Sequence, residues 1–366
     1  MSTQFIRWGI LGTGFIAGEF ARGLSSIAEA QLLGISSRKP TNARTFARLF
    51  QVPRYYESYE ELIRDPDIDV VYIATPNHTH KDLCILCLEA GKPVLCEKPF
   101  ALNALEAQTV IDLARRQQVF CMEAMWMRFM PLIRQAKQAI EDGIIGEVKM
   151  LTADFGYPAA FEPQSRFFQP EFGGGALLDR GIYGLSLAYY LLGAPSEIVT
   201  QATFSPSGVD EQSSILLNYP QGKLAILSQS LSTYSSNQAV IMGTTGKITL
   251  HELFIKPEKM SVTKFTQLAQ VYPSPLKPLS FKQKLVAAVK QNSIIKRLYL
   301  SVFGLLRSRG TRVTIKPLVG NGYNYEAMEV MNCLHNNRLE SEIMPLDETL
   351  KIMEAADYIA SQWKKN

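Results

Sequence analysis

Ile6–Leu24 reads IRWGILGTGFIAGEFARGL, a short apolar run, a glycine turn and a helical pattern in direct succession. Within it, Gly12-Thr13-Gly14-Phe15-Ile16-Ala17 has the form G-x-G-x-x-A. Gly12 permits a tight turn. Gly14 lets the backbone approach a pyrophosphate, and Ala17 is small enough for the helix to pack on the strand. The first turn of the helix offers unpaired N–H groups and the positive end of the helix dipole, both of which attract phosphate. The stretch therefore predicts a dinucleotide-binding βαβ unit, with Gly12, Gly14, Phe15 and Ile16 against the cofactor. An ordinary glycine turn is the competing reading, and the strand before and helix after argue against it.

The next strand is expected at Gln31–Ser36, followed by Ser37-Arg38-Lys39 and a helix over Asn42–Phe50. An NAD-selective site usually ends this strand with Asp or Glu, which binds the ribose 2′-hydroxyl. No acid stands here. Ser37 and Arg38 offer hydroxyl and cationic donors that suit a 2′-phosphate, so the expected cofactor is NADP, with NAD as the alternative. A solvated basic loop is the plainer reading of the same residues.

Working outward, Val70–Ala74 predicts a buried strand, His78–Ala90 a helix, Val94–Cys96 a strand, Ala104–Gln117 a helix and Val119–Met122 a strand. Strands alternating with helices imply a parallel sheet with right-handed crossovers. Ligands of such sheets lie beyond the carboxyl ends of the strands. Thr75, Asn77, His80, Glu97 and Lys98 fall at those ends and are expected to line the cofactor crevice. His78 and His80 form an H-x-H, but no third ligand stands at convincing spacing, so no metal is expected.

Beyond Glu123 the pattern changes. A helix over Pro131–Glu141 and a strand over Val148–Phe155 lead to the glycine run Gly173-Gly174-Gly175, which reads as a helix start. Strand-like runs follow at Ser196–Phe204, Ser213–Asn218, Gly222–Ser230, Ala239–Met242 and Lys247–Leu250. They predict a mainly antiparallel open sheet, closed by helices over Tyr323–Asn336 and Leu346–Trp363. The expected organisation is an α/β Rossmann domain over 1–123 and an α+β substrate-binding and oligomerisation domain over 124–366. Mean hydropathy is near zero, and no stretch reads as a signal peptide or a membrane span. Five scattered cysteines make a disulfide framework improbable. Cys84-x-x-Cys87 sits in an apolar helical pattern and reads as a buried face. A soluble protein of the reducing cytoplasm is the expectation.

Several stretches together resemble the Gfo/Idh/MocA oxidoreductase family over nearly the whole chain. They are GILGTGFIA, ATPNHTH, AGKPVLCEKP, MEAMWMRF, GGGALLDRGIY, GNGYNYEAMEVM and MPLDETLKIM. MEAMWMRF and GGGALLD-x-GIY are most similar to the branch containing dimeric dihydrodiol dehydrogenase and NADP-dependent D-xylose dehydrogenase. The resemblance implies a second domain whose outer sheet face mediates dimerisation. It also implies an active-site lysine at Lys98, in Glu97-Lys98-Pro99. Asp179 and Tyr183 match the family's D-x-G-x-H with Tyr in place of His, which makes Tyr183 the expected proton donor or acceptor. A phenol titrates near ~10 and needs help to work near neutrality; a nearby ammonium lowers that pKa, and Lys98 is expected to supply it. Asp179 is expected to pair with Lys98 or orient a hydroxyl. Trp126, Arg128 and Phe155 are expected to line the substrate pocket, with ordinary core aromatics as the competing reading. Arg180 departs from the apolar or small residue usual there; an altered pocket or a side chain in solvent are the two expectations.

Charge adds a feature outside the resemblance. From Lys259 to Tyr325 there are twelve Lys or Arg and no Asp or Glu, which leaves 38 − 12 = 26 basic against 34 acidic residues elsewhere. The centre of this segment, about 272–312, reads as an insertion. Phe281–Leu306 within it has the spacing of a basic amphipathic helix. Weak contact with an anionic membrane surface is one expectation for it and packing on the protein the other. Nucleic acid is not expected, since no binding motif accompanies the charge. The expected function is an enzyme transferring hydride between NADP and a sugar, cyclic polyol or related hydroxy/keto compound, as a homodimer or higher oligomer. The alternatives are an NAD-dependent sugar dehydrogenase and a non-catalytic NADP-binding sensor.

Overall fold

The computed structural model describes residues 5–265 and 310–363. Six parallel strands form the first sheet: β1 (Ile6–Leu11), β2 (Ala30–Ser36), β3 (Arg54–Tyr56), β4 (Val70–Ile73), β5 (Val94–Glu97) and β6 (Cys121–Ala124). Their spatial order is β3-β2-β1-β4-β5-β6. Every residue of β4, β5 and β6 is buried, as a parallel sheet covered on both faces requires. The crossovers are α1 (Phe15–Leu24), α2 (Pro40–Phe50), α3 (Tyr59–Arg64), α4 (His80–Glu89) and α5 (Ala104–Gln117). Side chains set two of their starts: Ser58 caps α3 by accepting from Glu61 N, and Asn103 caps α5 by accepting from Glu106 N. The strand order reverses between β1 and β4, which opens a crevice at their carboxyl ends.

The second sheet has eight strands: β7 (Val148–Gly156), β8 (Glu197–Phe204), β9 (Asp210–Tyr219), β10 (Lys223–Ser230), β11 (Ala239–Gly243), β12 (Gly246–Leu250), β13 (Lys259–Lys264) and β14 (Thr311–Ile315). They lie in the order β14-β13-β12-β11-β7-β10-β9-β8. Alternating burial along β9 and β12 shows one face packed and the other open. The packed face meets α6 (Pro131–Glu141) and α7 (Ile182–Leu192), while α9 (Leu346–Trp363) bridges α5 and β6 to α7 and β8. The remaining helix, α8 (Tyr323–His335), packs on α1 and on the short Trp126–Phe129 turn.

The second sheet is mainly antiparallel, as expected, and holds one parallel pair, β7 with β10. That pair closes over an excursion through α7, β8 and β9, so it has no signal in neighbouring residues. Asn77–Thr79 forms a short 3-10 turn before α4 rather than its first turn. The glycine run leads into a π turn over Leu177–Gly181, and α7 begins only at Ile182. Thr311 and Arg312, at the end of the expected insertion, belong to β14, paired with β13. The amphipathic helix expected at 281–306 lies outside the described residues. The five cysteines are buried and unpaired, Cys84 and Cys87 on α4 among them. Among the described residues no helix is long and apolar enough to cross a membrane.

Candidate active site

The site forms where β1, β4 and β5 end. Gly12 has φ +109, and a Cβ there would stand 2.3 Å from the Ala74 carbonyl oxygen, so the turn admits glycine alone. Gly14 is extended and faces open space, with nothing within 4 Å of a Cβ added to it. The N-terminus of α1 has neither a capping side chain nor an acidic residue in its first turn. Free N–H groups, an open backbone approach and no competing carboxylate fit a dinucleotide pyrophosphate. Ser37 is buried, and its Oγ accepts from Thr13 Oγ1 at 3.3 Å. Arg38 is exposed, with its backbone N–H donating to Tyr59 Oη at 3.2 Å. The start of α2 beside it likewise lacks a side-chain cap and first-turn acids.

One cleft of about 560 Å³ joins these residues to the catalytic candidates. Gly12–Ile16, Ser37–Lys39, Thr75–Thr79, Glu97, Lys98, Arg166, Tyr183 and Tyr323 line it. Phe15 and Ile16 are on its wall, and so are Thr75 and Asn77. His80 is not. Its ring is buried, with Nδ1 2.8 Å from the Pro99 carbonyl oxygen and Nε2 3.0 Å from that of Thr75. Each ring nitrogen faces a carbonyl and the single N–H of the neutral ring donates to one of them, so His80 joins the loop after β4 to the loop carrying Lys98 and does not line the cleft. Burial lowers its pKa.

A buried acidic cluster runs inward from Glu97 on the wall. Glu97 accepts from Tyr72 Oη and, through Oε2, from Lys98 N at 3.2 Å. Burial raises the Glu97 pKa. Glu326 on α8 is fully buried, and neither carboxylate oxygen has a hydrogen-bond partner among the described residues. Burial, then the charge of Glu97, pushes its pKa well above the carboxylate range.

Lys98 and Tyr183 meet across the two domains. Lys98 Nζ lies 4.7 Å from the centre of the Tyr183 ring, over its face. The same ammonium donates to the Asp179 carbonyl at 2.8 Å and lies 3.6 Å from Asp179 Oδ1. Burial works against the charge on Lys98, but Tyr183, Asp179 and Glu97 outweigh it and raise its pKa. Asp179 goes the other way: burial is outweighed by Lys98, Arg166 and Arg180, and its pKa falls.

The expectation that Lys98 brings the Tyr183 pKa down overall is not met. Burial raises it, and Lys98 and Trp126 offset this only in part. The resting pair is thus an ammonium over a neutral phenol. Trp126 Nε1 donates to Tyr183 Oη at 2.9 Å. An indole N–H can only donate, so it occupies a lone pair and leaves the phenol proton for a ligand.

The three expected pocket residues stand elsewhere. Trp126 is buried behind Tyr183 and stacks on Tyr323, 4.7 Å away and 5° from parallel. Phe155 meets the Tyr183 ring edge-on at 5.5 Å and lines a separate groove on the second sheet. Arg128 is wholly buried, bonded through Nε to Ser186 Oγ at 2.7 Å and through Nη1 to Glu348. It joins the 126–129 turn to α7 and α9 and does not line the cleft. Arg180 reaches neither pocket nor solvent: it donates to the carbonyls of Tyr157 and Ser230, at the ends of β7 and β10. Asp210 holds the π turn by accepting from Leu177 N at 2.7 Å. Arg166 and Tyr323 are cleft residues not anticipated as such; only Tyr323 lay in a stretch carrying a resemblance. Among the described residues no group of His, Cys, Asp and Glu is arranged to hold a metal.

Known proteins resemble this chain along its length. A model for the oxidoreductase family GFO/IDH/MocA, NAD-binding Rossmann fold, matches residues 6–125, and one for the GFO/IDH/MocA C-terminal domain matches 133–249. The trans-1,2-dihydrobenzene-1,2-diol dehydrogenase of Xenopus laevis is 32% identical over 364 residues, 97% of each chain. That of Mus musculus is 38% identical over 257 residues, 69% of this chain and 77% of the relative. Among solved structures, levoglucosan dehydrogenase in complex with NADH aligns with a TM-score of 0.80 at 22% identity, over 99% of this chain and 98% of that one. A 3-ketoreductase from Actinomadura kijaniata in complex with NADP and TDP-benzene aligns at 0.77 and 23% identity, over 98% of each. These two likenesses establish the fold.

Proposed function

The chain belongs to the Gfo/Idh/MocA oxidoreductase family and is an NAD(P)-binding dehydrogenase/reductase; on that premise we propose that it interconverts a hydroxyl and a keto group on a sugar, cyclic polyol or related compound, with NADP as cofactor. The observation that carries the reading is the Lys98 ammonium over the ring of Tyr183, whose hydroxyl proton is left free at the cleft. A ring bearing adjacent hydroxyls is also what the names of the 32–38% identical relatives describe.

Gly12, Gly14, Phe15 and Ile16 would hold the pyrophosphate end, and Ser37 with Arg38 the 2′-phosphate. Bound there, the nicotinamide accepts or supplies the hydride. Tyr183 handles the accompanying proton: as a phenol it donates to the substrate oxygen in reduction, and as a phenolate it accepts in oxidation. Lys98 stabilises the phenolate by its charge over the ring. Asp179 keeps that ammonium in place through its carbonyl and carboxylate. Residues 1–123 carry the cofactor and 124–366 the substrate face. The open face of the second sheet, where Val199 and Ile226 are exposed on one row of β8, β9 and β10, supports a homodimer or higher oligomer.

A panel of sugars and cyclic diols, assayed with NADP+ and NADPH, tests the reading. Turnover is expected, and Lys98→Met should lower it ~100-fold or more, the scale of a lost acid/base group, while cofactor binding survives. No turnover by a wild-type protein that binds NADP would point to a sensor instead.

A further inference from the structure

Beside the cleft residues Lys98 and Arg166, one carboxylate faces three cations. Asp179 Oδ1 lies 3.6 Å from Lys98 Nζ and 3.4 Å from Arg166 Nη1, and Asp179 Oδ2 lies 3.5 Å from Arg180 Nε. Two of the cations have further partners. Lys98 Nζ donates to the Asp179 carbonyl, and Arg180 to those of Tyr157 and Ser230. Arg166 differs. Both its terminal nitrogens reach a single oxygen, Asp179 Oδ1, at 3.4 Å. A well-formed bond between a cation and a carboxylate is ~2.7–2.9 Å, so this contact is loose. The guanidinium rests on the Phe167 ring, 4.2 Å from its centre, with 52% of the side chain exposed. Stacking fixes its plane while its fork of donors stays available. Counting Glu97 as ionised, three cations less two carboxylates leave the region positive.

We infer that Arg166 is a specificity-determining residue and that the preferred substrate carries an anionic oxygen group, a carboxylate or a phosphate ester, on the same skeleton as the reacting carbon. The inference rests on the redox reading for the place of the substrate, since Arg166 shares its cleft with Lys98 and Tyr183. A planar guanidinium matches either anion with two parallel hydrogen bonds, which its loose reach to one Asp179 oxygen does not provide. An anion displacing that contact leaves Asp179 with Lys98 and Arg180, so no buried carboxylate is abandoned. A neutral sugar gains nothing comparable. The phosphates of the cofactor are the other source of such an anion, and the test separates the two.

Calorimetric titration of the protein–NADP+ complex with an aldose, the matching uronic acid and the matching sugar phosphate reads binding without requiring turnover. At least one anionic compound should bind about tenfold or more tightly than the aldose, the size of one or two hydrogen bonds to a charge. The two anionic arms show which group is preferred. Arg166→Gln should abolish that advantage and Arg166→Lys should retain part of it. Raising the ionic strength should weaken the anion selectively. Equal binding of all three compounds, no binding of either anionic one, or an advantage that survives Arg166→Gln would overturn the inference. So would a loss confined to NADP+ affinity, which would assign Arg166 to the cofactor. Selective anion binding with no turnover would leave the inference standing and overturn the redox reading; efficient turnover with no preference for the anion would do the reverse.

Discussion

Replacing Gly12 and Gly14 by alanine, one at a time, separates what the glycine turn does for the fold from what it does for the cofactor. At Gly12 a Cβ would stand 2.3 Å from the Ala74 oxygen and 2.8 Å from its carbon. Neither can retreat cheaply, because the Ala74 N–H is bonded to the Leu11 carbonyl at 2.8 Å. The positive φ alone costs an alanine ~1–3 kcal/mol, and the backbone overlap adds to it. Gly12→Ala should therefore lose about 3 kcal/mol or more of stability in denaturant unfolding. Gly14 is different: with φ −75 and ψ −177 its backbone suits alanine, and the added methyl meets no protein atom. Gly14→Ala should leave stability unchanged or raise it by ~0.4–1 kcal/mol, through the unfolded chain. The methyl does occupy the approach to α1 assigned to the pyrophosphate. NADP+ affinity, read by calorimetry, should fall tenfold or more, about 1.4 kcal/mol. Wild-type affinity in Gly14→Ala, or a stability loss equal to that of Gly12→Ala, would refute the reasoning.

NADP+ should bind better than NAD+, and Arg38→Ala should narrow that gap by ~1.5–3 kcal/mol, the range for hydrogen bonds to a charged group; equal affinities in the wild type would remove the basis for a 2′-phosphate site. Burial pushes the Glu123 carboxyl up to about 7. The folded state then holds this proton more tightly than the unfolded chain, so the stability due to the group falls as pH rises from about 4.5 to about 7, by roughly 3 kcal/mol. Unfolding free energies across that range should be flatter with pH in Glu123→Gln than in the wild type; parallel curves would show that Glu123 does not titrate there.

Much of the first domain was legible because its signals are local. A glycine turn between a strand and a helix, and motifs at strand ends, place Gly12, Thr75 and Lys98 around one crevice before any contact is known. What failed was side-chain direction. MEAMWMRF and ATPNHTH mark the neighbourhood of the site, yet Arg128 turns away toward Ser186 and Glu348, and the buried His80 ring sits between two carbonyls. A string of residues does not say which of them is buried. The same gap explains Tyr183: the ammonium beside it was expected, but the burial that outweighs it comes from tertiary packing, with Phe155 edge-on to the ring. Arg166 comes from the loop after β7 and has no motif of its own. The parallel β7–β10 pair and the three-residue β3 escaped for related reasons, one being nonlocal and the other too short to show a period.

Proton transfer at Tyr183 is tested most directly by the pH dependence of alcohol oxidation in the wild type and in Tyr183→Phe. Burial holds the Tyr183 pKa above its usual value. Only the phenolate accepts a proton, and at pH 7 even an ordinary phenol is ~0.1% ionised. Wild-type oxidation should therefore rise steadily with pH through neutrality into the alkaline range, while carbonyl reduction, which uses the phenol, stays nearly level. Tyr183→Phe should lose ~100-fold or more in turnover, together with the alkaline rise, and still bind NADP+. A Tyr183→Phe protein that oxidises at the wild-type rate, or keeps the wild-type pH slope, would contradict the assignment of the proton to this phenol.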